Sequence, residues 1–139
     1  MKHLLILIIL CSIGLNSSFA QKPYDAYQGG IVFHLFQEGD PGYVVGEVHG
    51  LIAATEDQTT IDEWEKIEDG TVWGCYENGL SGADGTAIGT GAQNTLDILT
   101  GCSKARIAAK LADDYEVTLD GATYNDWFLL SKNELDILY

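Results

Sequence analysis

Two cysteines, two histidines and a large excess of carboxylates are the side chains with chemistry to offer between residues 21 and 139. A nucleophilic site would need a Ser or Cys supported by a His and an acid. His34 and His49 are the only histidines in that stretch, and no G-x-S-x-G elbow accompanies them. Cys75 and Cys102 are separated by 26 residues and, in an oxidising compartment, are expected to pair as a disulfide. A structural zinc site needs four ligands, more than these two cysteines supply, and the histidines lie in another region. His34 sits in the middle of an apolar run and reads as a packed or edge residue. His49, in Val48-His49-Gly50, reads as a strand-end or loop residue and is the better of the two to face a ligand. The adjacent carboxylates Asp62/Glu63 and Asp113/Asp114 do not project together on a helix. A glycosidase-type pair would have to be assembled from distant positions. No catalytic residue is therefore assigned.

Gly89-Thr90-Gly91 suggests a phosphate cradle, but the third glycine of G-x-G-x-x-G is Asn94 here and no Walker lysine follows. The surrounding stretch, Gly79 to Gly91, has five glycines in 13 residues and reads as a long irregular loop. Asp84 in that loop and Asn94 just beyond it are candidate ligand-facing residues. The tryptophans divide by context. Trp127 lies in an apolar run and is expected to pack, Trp73 is expected against the disulfide, and Trp64, in an acidic segment, is expected partly exposed and ligand-facing.

Formal charge narrows the partners. Seven Lys and Arg against 21 Asp and Glu give −14, which disfavours nucleic acid and heparin-like polyanions and leaves cations, basic surfaces and neutral glycans open. Residues 1–20 resemble a secretory signal: Lys2 and His3 precede an apolar run, and Ser18-Phe19-Ala20 offers a cleavage site. Cleavage there leaves one domain over residues 21–139 with no membrane span, secreted, periplasmic or at the cell surface. Leu10 before Cys11 is too bulky for a lipid-attachment site. Glu56 to Asp69 carries seven acidic residues but lacks the D-x-[DN]-x-[DN]-G pattern of a calcium loop. Calcium is thus the one cofactor with any basis, and no metal ligands are assigned.

The elements that must position these residues are mixed. Ile31 to Phe36 and Leu51 to Thr55 read as strands, with a turn at Gly39-Asp40-Pro41-Gly42 and extended chain resuming at Tyr43-Val44-Val45. Gln93 to Leu99 and Ser103 to Asp114 read as helices, the second capped by Ser103. Glu116 to Leu119 alternates like a strand before the tight-turn pair Asp120-Gly121. Trp127-Phe128-Leu129-Leu130 has the length of a buried strand. Ser131-Lys132-Asn133-Glu134 then fits a capping box, with Leu130 and Leu135 as its hydrophobic staple.

Trp73-Gly74-Cys75-Tyr76, Gly85-Thr86-Ala87-Ile88-Gly89-Thr90-Gly91 with Asn94-Thr95, Gly101-Cys102, and Asp126-Trp127-Phe128-Leu129 with Ser131 to Leu135 together resemble the Lcl C-terminal domain family. These are secreted or surface bacterial domains of poorly defined function, and the likeness runs from about Gly29 to Tyr139. The resemblance implies an α+β, C-type-lectin-like domain with short antiparallel strands, two to three helices and the long glycine-rich loop, in an adhesion or ligand-binding role. Leu130 replaces the family's proline, the Asp62 to Asp69 segment looks inserted, and the strands that follow the capped helix in the family are missing after Tyr139. The expected function is a binding or adhesion module for a glycan or a surface protein. A structural or incomplete domain that needs a partner to complete its sheet comes second, and a carboxylate-dependent hydrolase third.

Overall fold

The computed structural model describes residues 21–58, 74–75 and 79–139. The proposed leader, most of the acidic segment with Trp64, and Trp73 lie outside the described residues. Those described form an α+β domain with two small antiparallel sheets and three helices.

The first sheet has the order β1 (Ala26–Tyr27), β2 (Gly30–Leu35), β3 (Gly50–Ala54). A two-residue turn joins β1 to β2, and its residues Gln28 and Gly29 both have positive φ, 49° and 86°. That is the backbone of a primed hairpin turn, whose twist matches the flanking strands. Gly29 also lies so close to the Val117 side chain that a Cβ there would collide with it. The β2–β3 ladder slips between Val32 and His34, a bulge after which His34 pairs with Leu51 and Leu35 with Gly50. Phe36 N–H donates to the His49 carbonyl (2.9 Å), so backbone pairing outlasts the strand. Between β2 and β3 the expected Pro41 turn is present, with Gly39 and Gly42 at φ 104° and 94°. Tyr43-Val44-Val45 is not a strand: Glu47 N–H returns to the Val44 carbonyl (3.1 Å) around Gly46 at φ 82°, and the chain turns again.

α1 (Gly91–Gly101) buries Gly91, Thr95 and Ile98, one face at helical spacing. Ile98 joins Cys75, Cys102, Ile107 and Ala109 in the core, with Leu80, Ala83, Leu99 and Leu129 packed around them. Cys75 and Cys102 are bonded, with S–S 2.02 Å and Cα atoms 5.5 Å apart. The next helix is shorter than expected. α2 covers only Ala108–Asp113, because Arg106 takes a left-handed φ of 63° and Ile107 is extended, so Ser103 caps nothing. The second sheet pairs β4 (Val117–Leu119) with β5 (Ala122–Tyr124) across Asp120-Gly121, whose φ values of 51° and 83° make it another primed turn.

Trp127 to Leu130 belongs to neither sheet, which corrects the strand expectation. The N–H of Leu129 goes to a side chain, the Thr95 hydroxyl on α1 (3.0 Å), and that hydroxyl donates to the Gly91 carbonyl (2.9 Å). α3 (Lys132–Leu138) then begins with the full capping box. Glu134, fully buried, accepts from Ser131 N–H (2.6 Å) with one oxygen and from Gly89 N–H (2.6 Å) with the other. Ser131 Oγ donates to the Ala87 carbonyl (2.9 Å), and Asn133 N–H to the Thr86 carbonyl (3.0 Å). The glycine-rich loop is therefore sewn to the start of α3.

Candidate functional site

A cleft of about 150 Å³ opens between the first sheet and the Asp126 to Leu130 segment. Its floor is aliphatic, made by Val32 and Leu35 from β2 and by Leu51 and Ile52 from β3. Its walls are the aromatic side chains of Tyr27, Trp127 and Phe128, and its polar groups are Gln21, Gln28, His49 and Asp126. An apolar body with a few convergent polar groups is the usual make-up of a ligand site. The volume matches an engineered protein cavity of about 150 Å³ that holds a benzene ring, so a single ring or one side chain fills it.

Each wall is fixed by local structure. The primed turn at Gln28-Gly29 sets Tyr27 and Gln28 at the rim. Trp127 packs edge-on against Tyr115, with ring centroids 5.1 Å apart, and its indole N–H donates to the Tyr124 carbonyl (3.2 Å). Its ring edge also lies against Gly30 of β2, where a Cβ would stand 3.1 Å from Cη2. His49 is held through its backbone by Phe36, and the glycine after it is obligatory: a Cβ on Gly50 would strike the His34 carbonyl. His49 Nε2–H donates to Glu47 Oε2 (2.7 Å), which leaves Nδ1 as the acceptor in the neutral ring.

The other histidine serves the scaffold. His34 Nε2–H donates to Asp40 Oδ2 (3.0 Å), which also accepts Gln37 N–H (2.9 Å), and its ring meets Phe36 edge-on at 5.9 Å. The Gln37 amide, and after it His34, hold the Asp40 carboxyl below its ordinary value of 3.8. Asp84 and Asn94 lie elsewhere, in a shallow groove of about 290 Å³ between the glycine-rich loop and the start of α3. The Asn94 amide is engaged there, accepting Gly85 N–H (3.0 Å) and donating to the Gly85 carbonyl (2.6 Å). Thus, of the residues expected to face a ligand, His49 lines the cleft, Asp84 and Asn94 share the other groove, and Trp64 is outside the described residues.

Tyr27, Gln28, Asp126 and Phe128 line the cleft without having been singled out as ligand-facing. The only sequence signal near them was the aromatic run at Trp127 to Leu130, which does not say what faces what. Among the described residues no group of three or more His, Cys, Asp or Glu could hold a metal ion, and the acidic stretch behind the calcium expectation lies mostly outside them. No helix among the described residues is long and apolar enough to cross a membrane. No family model matches the chain, and no curated protein or solved structure matches it.

Proposed function

We propose that this chain is a secreted or surface binding module, C-type-lectin-like in the sense of the Lcl C-terminal domain resemblance, that takes its ligand in the cleft under Trp127. The observation that carries the reading is the cleft itself, where three aromatic walls and four polar side chains from separate parts of the chain surround an aliphatic floor. The signal-like residues 1–20 and the disulfide support an extracytoplasmic location. Glycan-array and pull-down screens of the folded protein should yield a saturable ligand. Its affinity should fall about five-fold in Gln28→Ala or His49→Ala, the value of one lost hydrogen bond. A folded sample with no saturable ligand, or one indifferent to both changes, sinks the proposal.

A second reading, a domain that completes itself against a partner, is supported by the outer surface of α3. Leu135, Ile137 and Leu138 are all more than a third exposed there.

A further inference from the structure

We propose that the occupant of the cleft is a cationic side chain, that of an arginine. This rests on the cleft being the binding site and adds the ligand's chemistry. Tyr27, Trp127 and Phe128 line the cleft with aromatic rings, the groups that attract a guanidinium, and the aliphatic floor suits its three-carbon stem. A fixed negative charge stands at the same opening. Asp126 is exposed, and it takes no part in the side-chain pairs His34–Asp40, His49–Glu47, Lys110 with Asp113 and Asp114, or Lys132–Asp136. Gln28 and, in its neutral form, His49 add acceptors for guanidinium N–H groups. No Lys or Arg lines the cleft, and the chain as a whole carries −14. Charge complementarity and ring chemistry thus point to the same guest. A neutral sugar ring would use the aromatic walls but leave Asp126 without a counter-charge.

The test uses a blocked Gly-Arg-Gly peptide and its citrulline counterpart, which keeps the shape and removes the charge. Binding is followed by NMR shifts of the Trp127 indole N–H and the Gln28 amide in the intact protein. The arginine peptide should shift both signals saturably and weaken as salt is raised, and the citrulline peptide should bind at least about five-fold more weakly. Tyr27→Ala and Asp126→Asn, both at exposed positions, should each cost about two- to five-fold with an unchanged melting temperature. Equal binding of the two peptides, or no effect of Asp126→Asn, overturns the proposal. If neutral monosaccharides shift these signals and the arginine peptide does not, the arginine reading falls and the cleft stands as the site. If neither probe shifts them, both readings fall.

Discussion

Glu134 does two jobs with one carboxylate. Its Oε2 closes the capping box on Ser131, as a Glu at the third helical position does in many helices, but its Oε1 holds Gly89 from a loop 45 residues earlier. Removing the carboxylate would strand the buried Ser131 N–H and the half-buried Gly89 N–H. Glu134→Ala should therefore cost about 2–4 kcal/mol. Glu134→Gln should cost less, because one amide oxygen can still accept while the amide nitrogen faces an N–H. Urea unfolding of both variants checks the order, and equal stability of Glu134→Ala and wild type would remove Glu134 from the framework. At this scale the sequence was most legible where partners are near in the chain. Ser131 and Glu134 could be paired on spacing alone. The Gly89 bond could not, since nothing local to Glu134 signals a second donor arriving from the glycine-rich loop.

The elements repeat that lesson. Asp120-Gly121 was readable as a tight turn, and the hairpin forms there with both φ values positive. Its twin at Gln28-Gly29 closes a hairpin whose first strand is two exposed residues, too short to leave an alternating pattern. Trp127 to Leu130 failed as a strand because an apolar run states burial without stating which hydrogen-bond partner its backbone takes. Thr95, a side chain on α1, took the place of a neighbouring strand. The cleft was hidden for a related reason: its rim is gathered from Tyr27, His49 and Asp126, stretches that pairing and packing alone bring together. Element contacts also explain one glycine. A Cβ on Gly91 would stand 2.6 Å from the Leu129 carbonyl oxygen and closer still to the Glu134 carboxylate. Gly91→Ala should destabilise by about 1–3 kcal/mol, as overpacking does, although alanine is the better helix former. A melting temperature equal to or above wild type would show that the α1 and α3 junction can yield.

For the whole molecule the Cys75–Cys102 bond is the main constraint on the unfolded chain. It closes a loop of 26 intervening residues, and by chain entropy this contributes about 3–4 kcal/mol. A domain of this size has a net stability of only about 5–15 kcal/mol. The Cys75→Ser/Cys102→Ser double variant should accordingly unfold at markedly lower urea with a changed slope, and reductant should move wild type to the same midpoint. Coincident curves for wild type with and without reductant would count against a structural role.

The stitching of the glycine-rich loop to α3 also imposes an order on synthesis. A ribosome adds roughly 5–20 residues each second, so Gly89 is added some seconds before Glu134. Throughout that interval Thr86, Ala87 and Gly89 have been translated but their partners have not. The first sheet and α1 precede these partners in the chain, whereas this loop must wait until residues 131–134 have been made. A ribosome stalled just short of codon 131 would hold a chain whose glycine-rich loop has been made and has no clasp.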